Sequence, residues 1–402
     1  MTQSSHFTVL FTFPLGYGRQ AKIISRIFGI IFVLLSFSSG AIYFTNNIQR
    51  AMQNNRPLTM GDVFVASQHL FISCRAGLVI TLNMLNIHLN EKFFNALSTT
   101  IIKTMNTSNQ LKAGFMHHLN RRMLIVLFIS VTLFCIGDGL WWLNSDNTRM
   151  KYLTENTVFL GMVSVGWQNY LYWVFSVALP FLYSLHIQST FVFVALVLQT
   201  GNEFVCQRLL GIRKLLYDLS SKNVATATDD LKEVLCYYET LDRLDSVLQN
   251  RLGSVLTAAF VFDLTLVLSF AAGLVTGSLL NDAFVITCYA LILVLFPFNA
   301  AVVRQENIVL PALTSSILLK TAAVNAKAVT LCRDIKALEA AIMEARKIFK
   351  DLKLELLLGD VIPITLSLLM KALTLIISVA LITKEIFPKS EAGCLLSANA
   401  TL

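Results

Sequence analysis

Two opposite charges lie inside apolar stretches of this sequence, and they are the residues best placed for chemistry away from water. Arg75 falls within the run Val63–Leu85, and Asp263 falls within Ser254–Leu280. At a rise of about 1.5 Å per helical residue, both reach the middle of their stretch. A charge in hydrocarbon usually faces a partner or a wet cavity. The sequence therefore predicts an Arg75–Asp263 ion pair, which either serves structure alone or also contacts a ligand.

Aromatic and polar side chains form a second group. His186 and Gln188 reach a similar depth in the fourth stretch, where the usual role of a single histidine is a hydrogen-bonded core residue. All four tryptophans fall at one end of the third and fourth stretches. This clustering fits an interfacial aromatic belt, or a pocket whose aromatic faces stack on a small molecule. The ligand-binding hypothesis comprises Arg75, Asp138, Trp141, Trp142, Trp167, Gln168, Trp173, His186 and Asp263.

The sequence lacks the motifs of the common enzyme classes. It has no Walker loop, no His-Glu-x-x-His pair and no nucleophile elbow. The seven cysteines are scattered without metal-ligand spacing. We therefore expect no enzymatic activity, no bound metal and no cofactor.

The elements that must position these residues are apolar runs of membrane-spanning length. The chain is 55% hydrophobic and only 14% charged, as in polytopic membrane proteins. Each run approaches or exceeds the roughly 20 residues that cross a hydrocarbon core. We predict an all-α membrane protein with seven transmembrane helices. They cover Ile27–Thr45, Val63–Leu85, Met123–Leu143, Leu171–Leu198, Ser254–Leu280, Ala283–Val303 and Val361–Ile382.

The distribution of Lys and Arg orients these spans. The N-terminus and alternate connections carry 24 of them, the opposite side carries 6, and Arg75 and Lys371 lie within spans. The basic side is cytosolic by the positive-inside rule, so we expect the N-terminus inside and the C-terminus outside, in a multi-pass plasma-membrane protein. The glycosylation sequon at Asn399 agrees with an external C-terminus. The net charge of +8 follows from this topology and requires no nucleic-acid partner.

A long amphipathic segment precedes the last span. Apolar residues recur there at alternating steps of three and four, as in a coiled-coil seam, and the intervening positions are charged. The segment either packs on its own chain or joins cytosolic helices of neighbouring subunits. The hypothesis of an oligomer seam comprises Leu331, Ile335, Leu338, Ile342, Phe349 and Leu352.

The other long cytosolic connection joins the fourth and fifth spans. An apolar stripe from Asp229 to Leu252 predicts a helix that runs into the fifth span, with Thr228 or Asp229 as its N-cap. Ser220–Thr228 reads as a flexible loop. Three regions result: a six-helix bundle over residues 1–303, a cytosolic anchor over 304–360, and the last span with its tail over 361–402.

Taken together, these features resemble the insect chemoreceptor superfamily, most closely its gustatory receptors. The resemblance covers the whole chain: seven spans, an inside N-terminus, about 400 residues, and long helical cytosolic connections. The last span of the family carries Thr-Tyr, five apolar residues and Gln-Phe. The nearest match here is Thr374-Leu375, Ile376-Ile377-Ser378-Val379-Ala380 and Leu381-Ile382, in which only the threonine is shared.

The resemblance implies a ligand-gated, non-selective cation channel that detects small-molecule tastants in sensory neurons. Its subunits would form a homotetramer, or a hetero-oligomer with related receptors, in the lipid bilayer. The last span would line the central pore, which makes Thr374, Ile377, Ser378 and Leu381 the pore-lining hypothesis.

Two other classes of membrane protein compete with this interpretation. A seven-helix receptor coupled to G proteins needs an external N-terminus, which the charge distribution opposes, and its usual motifs in spans three and seven are missing. A secondary transporter usually shows two related halves with helices broken at the midplane, and no internal repeat is visible. A non-channel receptor or scaffold is a further alternative.

Overall fold

Helices make up almost all of the computed structural model, because apolar runs and amphipathic stripes at helical spacing fill most of the sequence. The structure describes residues 19–53, 60–107, 115–143, 157–159, 162–164, 171–216, 221–272, 279–307, 309–325, 332–351, 354, 356–358 and 361–386.

Ten α-helices and two short antiparallel hairpins occur in the described ranges, together with a 3-10 turn at Asn86–Leu89 and a π-helical turn at Val174–Ala178. The hairpins pair Thr157–Phe159 with Met162–Ser164 and Leu357–Leu358 with Ile362–Pro363. The elements are α1 Arg19–Gln53, α2 Met60–Leu85, α3 Asn90–Thr107, α4 Phe115–Leu143, β1 Thr157–Phe159, β2 Met162–Ser164, α5 Leu179–Leu215, α6 Ser221–Ala272, α7 Leu279–Asn307, α8 Val309–Asn325, α9 Cys332–Asp351, β3 Leu357–Leu358, β4 Ile362–Pro363 and α10 Leu366–Ile386.

Seven segments of the described chain are helical, long and apolar enough to cross a membrane. They lie in α1, α2 with α3, α4, α5, α6, α7 with α8, and α10, so each overlaps one predicted span. The predicted seven-helix fold class is therefore confirmed. The second predicted span, Val63–Leu85, lies within the helix α2.

The 52-residue helix α6 is the scaffold of the fold. It contacts α2, α3, α5, α7, α9 and α10. Its Asp229–Leu252 stripe is buried at Leu231, Val234, Tyr238, Leu241, Leu244, Leu248 and Leu252. The connection before the fifth span and the fifth span itself are thus one continuous helix. It begins at Ser221, so the prediction of a flexible loop over Ser220–Thr228 and of an N-cap at Thr228 or Asp229 is wrong.

Helix α5 packs closely against α6 at Gly201. A Cβ atom added there would lie 2.5 Å from Leu241 Cδ2 and 3.1 Å from the Tyr237 hydroxyl. Leu241 and Tyr237 are themselves buried, so neither side chain has space to retreat. The glycine therefore sets the distance between the two helices.

Gly201→Val is expected to lower the free energy of unfolding by about 1–3 kcal/mol, because overpacking forces the two helices apart. The matched control is Gly211→Ala on the same helix, where nothing lies within 4 Å of the added atom. That change should be neutral or stabilising, since alanine is the better helix former. Thermal unfolding of both variants in detergent measures the difference. Equal transition temperatures would contradict the close packing at Gly201.

The last helix begins later than the sequence predicts. Val361–Thr365 was expected to be part of the span, but β4 occupies Ile362–Pro363 and α10 starts at Leu366. Pro363 disfavours helical geometry in the residue before it. Thr365 then acts as the N-cap, because its hydroxyl accepts a hydrogen bond from the Leu368 amide at 2.9 Å. Lys371 consequently lies only about 7.5 Å above the start of the helix, not at its middle.

The predicted oligomer seam is wrong at four of its positions. Ile335, Leu338, Ile342 and Phe349 are each 1% exposed within a single chain, where α9 packs on α6 and α8. The Phe349 ring meets Tyr238 of α6 edge to face at 4.8 Å between centroids. This face is filled within the subunit and cannot receive a neighbour. The two remaining seam positions, Leu331 and Leu352, lie outside the described residues.

Candidate functional site

A buried arginine ties three membrane helices together. Arg75 on α2 is 0% exposed, and its Nε donates to Asp263 Oδ1 on α6 at 2.5 Å. Its Nη2 donates to Asp263 Oδ2 at 3.2 Å and to Gln188 Oε1 at 2.6 Å, and its Nη1 donates to Ser184 Oγ at 2.5 Å. The Phe181 ring covers one face of the guanidinium, 4.4 Å from its carbon. The predicted Arg75–Asp263 ion pair is confirmed.

This arrangement satisfies a charge that is otherwise expensive to bury. The guanidinium forms a bidentate pair with the carboxylate through Nε and Nη2, and side-chain oxygens of α5 accept from Nη1 and Nη2. A buried pair contributes little net attraction, but loss of one partner leaves an uncompensated charge. The cluster therefore fixes how α2, α5 and α6 sit against one another.

His186 does not belong to the face that meets Arg75. Ser184 and Gln188 are four residues apart on α5 and so lie on one side of the helix, while His186 lies two residues from each and points elsewhere. It is half-buried, whereas Ser184 and Gln188 are buried. The sequence analysis missed Ser184 as an arginine partner, although its spacing from Gln188 was a usable signal.

An aromatic layer lies next to the arginine cluster, toward the start of α2. His69 precedes Arg75 by six residues, or about 9 Å of helix. The Tyr43 ring of α1 stacks on His69 at 5.2 Å, and Tyr172 lies 6.3 Å from Tyr43. Trp173 beside them is buried at 8% exposure. Apolar faces with polar edges at the end of a helix bundle can hold a small molecule.

Most of the predicted tryptophan pocket lies outside the described residues. Trp167 and Gln168 are not described, and α4 is described at Asp138, Trp141 and Trp142 only as backbone. Trp173 is the one described side chain of that set, and it joins the aromatic layer. A shared pocket of these residues stays a prediction.

A second buried arginine joins α6 to α2 and α3. Arg251 on α6 is 0% exposed; its Nε donates to Asn90 Oδ1 at 2.7 Å and its Nη2 to Asn83 Oδ1 at 2.8 Å. Asn86 returns a bond to the Arg251 carbonyl at 3.1 Å. This cluster was not predicted, because Arg251 lies in a connection whose polar side chains are expected to be exposed.

The described part of the chain also contains a cavity of about 560 Å³ between α3 and α6. Its charged lining residues are Lys92, Lys103 and Arg243, with Glu239 as the one acid. The lining therefore carries an excess of positive charge. In the described ranges no three His, Cys, Asp or Glu side chains gather closely enough to hold a metal ion.

Five polar side chains of the last helix, α10, lie on one narrow stripe, whereas Thr383 lies on the opposite side of the helix. At about 100° per residue, Ser367, Lys371, Thr374, Ser378 and Glu385 all point within an arc of about 60°. We call these five residues the polar stripe. All are exposed except Ser378, which is half-exposed. The buried residues Leu369, Ala372 and Ile376 point in nearly the opposite direction.

The polar stripe thus faces away from the subunit's own core. Only 22% of the α10 span is buried. Of the predicted pore residues, Thr374 and Ser378 belong to the stripe and Leu381 lies at its edge. Ile377 is 60% exposed but points about 60° beyond Thr374, outside the stripe.

Comparison with known proteins finds similarity in structure but no match in sequence. No protein-family profile matches the sequence, and no curated protein matches it. Among solved structures, the olfactory receptor OR5 of the insect Machilis hrabei in complex with eugenol superposes with a TM-score of 0.60, over 96% of this chain and 98% of that one. A second structure of that receptor gives a TM-score of 0.56 over the same shares.

This chain has the fold of an insect olfactory receptor.

Sequence identity to that receptor is only 10% and 11% in the two structures. The likeness therefore shows the receptor fold over nearly all of both chains. It agrees with the predicted fold class, and membership of the insect chemoreceptor superfamily and of its gustatory branch stays a proposal. The chain is a multi-pass membrane protein by its seven spanning helices and this fold.

Proposed function

We propose that the chain is a chemoreceptor subunit of a ligand-gated cation channel in the plasma membrane. It would detect small molecules, and tastants are the class that the sequence resemblance suggests. The observation that carries the proposal is the polar stripe of α10 on a helix that its own subunit leaves uncovered.

Polar side chains on a membrane helix avoid lipid and face water or protein partners. The polar stripe has no described partner face within the subunit, since the buried side of α10 is the opposite one. Copies of α10 around a common axis would remove the stripe from lipid and enclose water between them. The resemblance suggests a tetramer, as a homomer or with related receptor subunits.

The stripe also refines the proposed pore lining. Thr374 and Ser378 would face the axis, with Leu381 and Ile382 as the apolar step between Ser378 and Glu385. Ile377 points instead toward lipid or a neighbouring subunit. Subunit contacts would come from the exposed faces of α10, because the α9 face is already filled.

The ligand would bind near the aromatic layer. Tyr43, His69, Tyr172 and Trp173 offer ring faces and polar edges there, and the predicted Asp138, Trp141, Trp142, Trp167 and Gln168 would complete the wall. Arg75 and Asp263 are fully engaged with each other and with α5. Their proposed role is to fix the positions of α2, α5 and α6 next to the site. A ligand would therefore affect the pair only through these helices.

The proposed orientation follows the charge distribution. The basic connections would lie in the cytosol, and α10 would rise from the cytosol and emerge at the cell surface. Asn399 would then be open to glycosylation.

Recording from cells that express the full chain, alone and with related receptor subunits, tests the proposal. Eugenol is the first probe, followed by a panel of sugars and bitter compounds. The proposal expects a ligand-evoked, cation-carried current that is absent from untransfected cells. Solute uptake without current, or a surface-delivered chain that never conducts with any probe or subunit, would overturn it.

A further inference from the structure

Two opposite charges stand near the two ends of the polar stripe. Lys371 is the sixth residue of α10, and Glu385 is its second-last. Fourteen residues separate them, so they lie about 21 Å apart along the helix. Both side chains are exposed on the single chain.

Lys371 points with the polar stripe and away from the packed face. Lys371 lies at one edge of this stripe: Ser378, Ser367 and Thr374 lie on one side of it, and the exposed apolar residue Leu375 lies about 40° away on the other. Placing a lysine side chain in the hydrocarbon is energetically costly. Alignment with hydroxyl side chains instead places the ammonium in the same aqueous path as the rest of the stripe.

We propose that this path is charged asymmetrically and therefore rectifies. Lys371 of each subunit contributes to a cationic ring near the cytosolic mouth, and Glu385 contributes to an anionic ring at the outer mouth. Cations then pass inward more readily than outward. This inference rests on the proposed channel function and adds the residues that set the direction of its current.

The physical basis is the local concentration of ions at each mouth. Rings of carboxylates attract cations and rings of ammonium groups repel them, and a narrow low-dielectric opening strengthens both effects. Cations arriving from outside meet Glu385 first and are concentrated. Cations arriving from the cytosol meet Lys371 first and are depleted, so outward current is the smaller one.

Whole-cell recording in symmetrical KCl, with eugenol and the same panel as probes, tests the inference. The wild-type inward current at a negative voltage should exceed the outward current at the equal positive voltage by at least about twofold. Lys371→Gln should bring this ratio close to one, and Lys371→Arg should preserve it. Glu385→Gln should reduce the inward current by a similar factor.

The matched control is Lys336→Gln, which removes an exposed lysine from α9 outside the stripe. It should leave the ratio unchanged, and surface labelling confirms delivery of every variant. A wild-type current whose ratio is unaffected by Lys371→Gln overturns this inference and leaves the channel proposal standing. A complete lack of current in delivered wild-type protein overturns the channel proposal, and this inference with it.

Discussion

Asp263→Ala is expected to destabilise the protein by about 3–5 kcal/mol. The substitution leaves the Arg75 guanidinium buried with only Ser184 and Gln188 as hydrogen-bond acceptors, and a lone buried charge carries a desolvation penalty of this size. Unfolding in detergent, followed by thermal shift, measures the loss. Delivery of the variant to the cell surface should fall in parallel.

Two controls separate loss of the buried pair from loss of a carboxylate in general. Asp229→Ala on the same helix removes an exposed acid that lies 3.9 Å from Lys232, and it should have little effect. The double change Arg75→Met with Asp263→Leu should recover most of the stability, because it removes both charges. If Asp263→Ala unfolds at the wild-type temperature, the cluster does not hold the three helices together.

Leu381→Ser is expected to raise the current without ligand by roughly tenfold, a shift of about 1.4 kcal/mol in the balance between closed and open states. Leu381 and Ile382 are the apolar step in the polar stripe, and an apolar constriction closes a pore by expelling water. A hydroxyl at this depth of the pore would keep water in the constriction. Recording from unstimulated cells at matched surface expression measures the change.

Ile377→Ser is the matched control for this change. It introduces the same side chain one turn earlier on α10, at a position that is 60% exposed but lies off the stripe. Its current without ligand should equal that of the wild type. An increase with Ile377→Ser, and none with Leu381→Ser, would mean that the axis of the pore lies on a different face.

The sequence was sufficient for the seven spans and for the buried ion pair. Long apolar runs leave little choice but a membrane helix, and opposite charges at equal depth have few other partners. Arg75 and Asp263 therefore met as predicted. Ser184 was missed because hydroxyls in membrane helices are common, although it lies one helical turn from Gln188.

The α9 seam shows where sequence periodicity stops being informative. An apolar stripe predicts that a helix face is buried, but it does not predict what covers that face. The stripe at Ile335–Phe349 would be the same whether the covering surface belonged to this chain or to another. In this chain α6 extends far enough before the fifth span to cover that face together with α8. The start of α10 was misplaced for a similar reason. Val361–Thr365 is apolar enough for a span, and Pro363 with the Thr365 cap sets the true boundary.

The pore lining stays a prediction, and the structure changes which residues share a face of α10. Thr374 and Ser378 came from the family resemblance, while the predicted span placed Lys371 at its middle. Because α10 starts at Leu366, Lys371 lies near the beginning of the helix, and the angle between residues excludes Ile377 from the stripe. The aromatic pocket stays a prediction, since most of the side chains predicted to line it lie outside the described residues.

Cysteine scanning along α10 tests the central claim most directly. Single cysteines at residues 367–385, in a background that lacks the seven native cysteines, are exposed to a charged, membrane-impermeant thiol reagent applied from either side. Fast reaction at Ser367, Lys371, Thr374, Ser378 and Glu385, with slow reaction at Met370, Ala372, Ile376 and Ile377, is the predicted result. Uniform protection of the stripe, or equal reaction all around the helix, would contradict a water-filled path lined by α10.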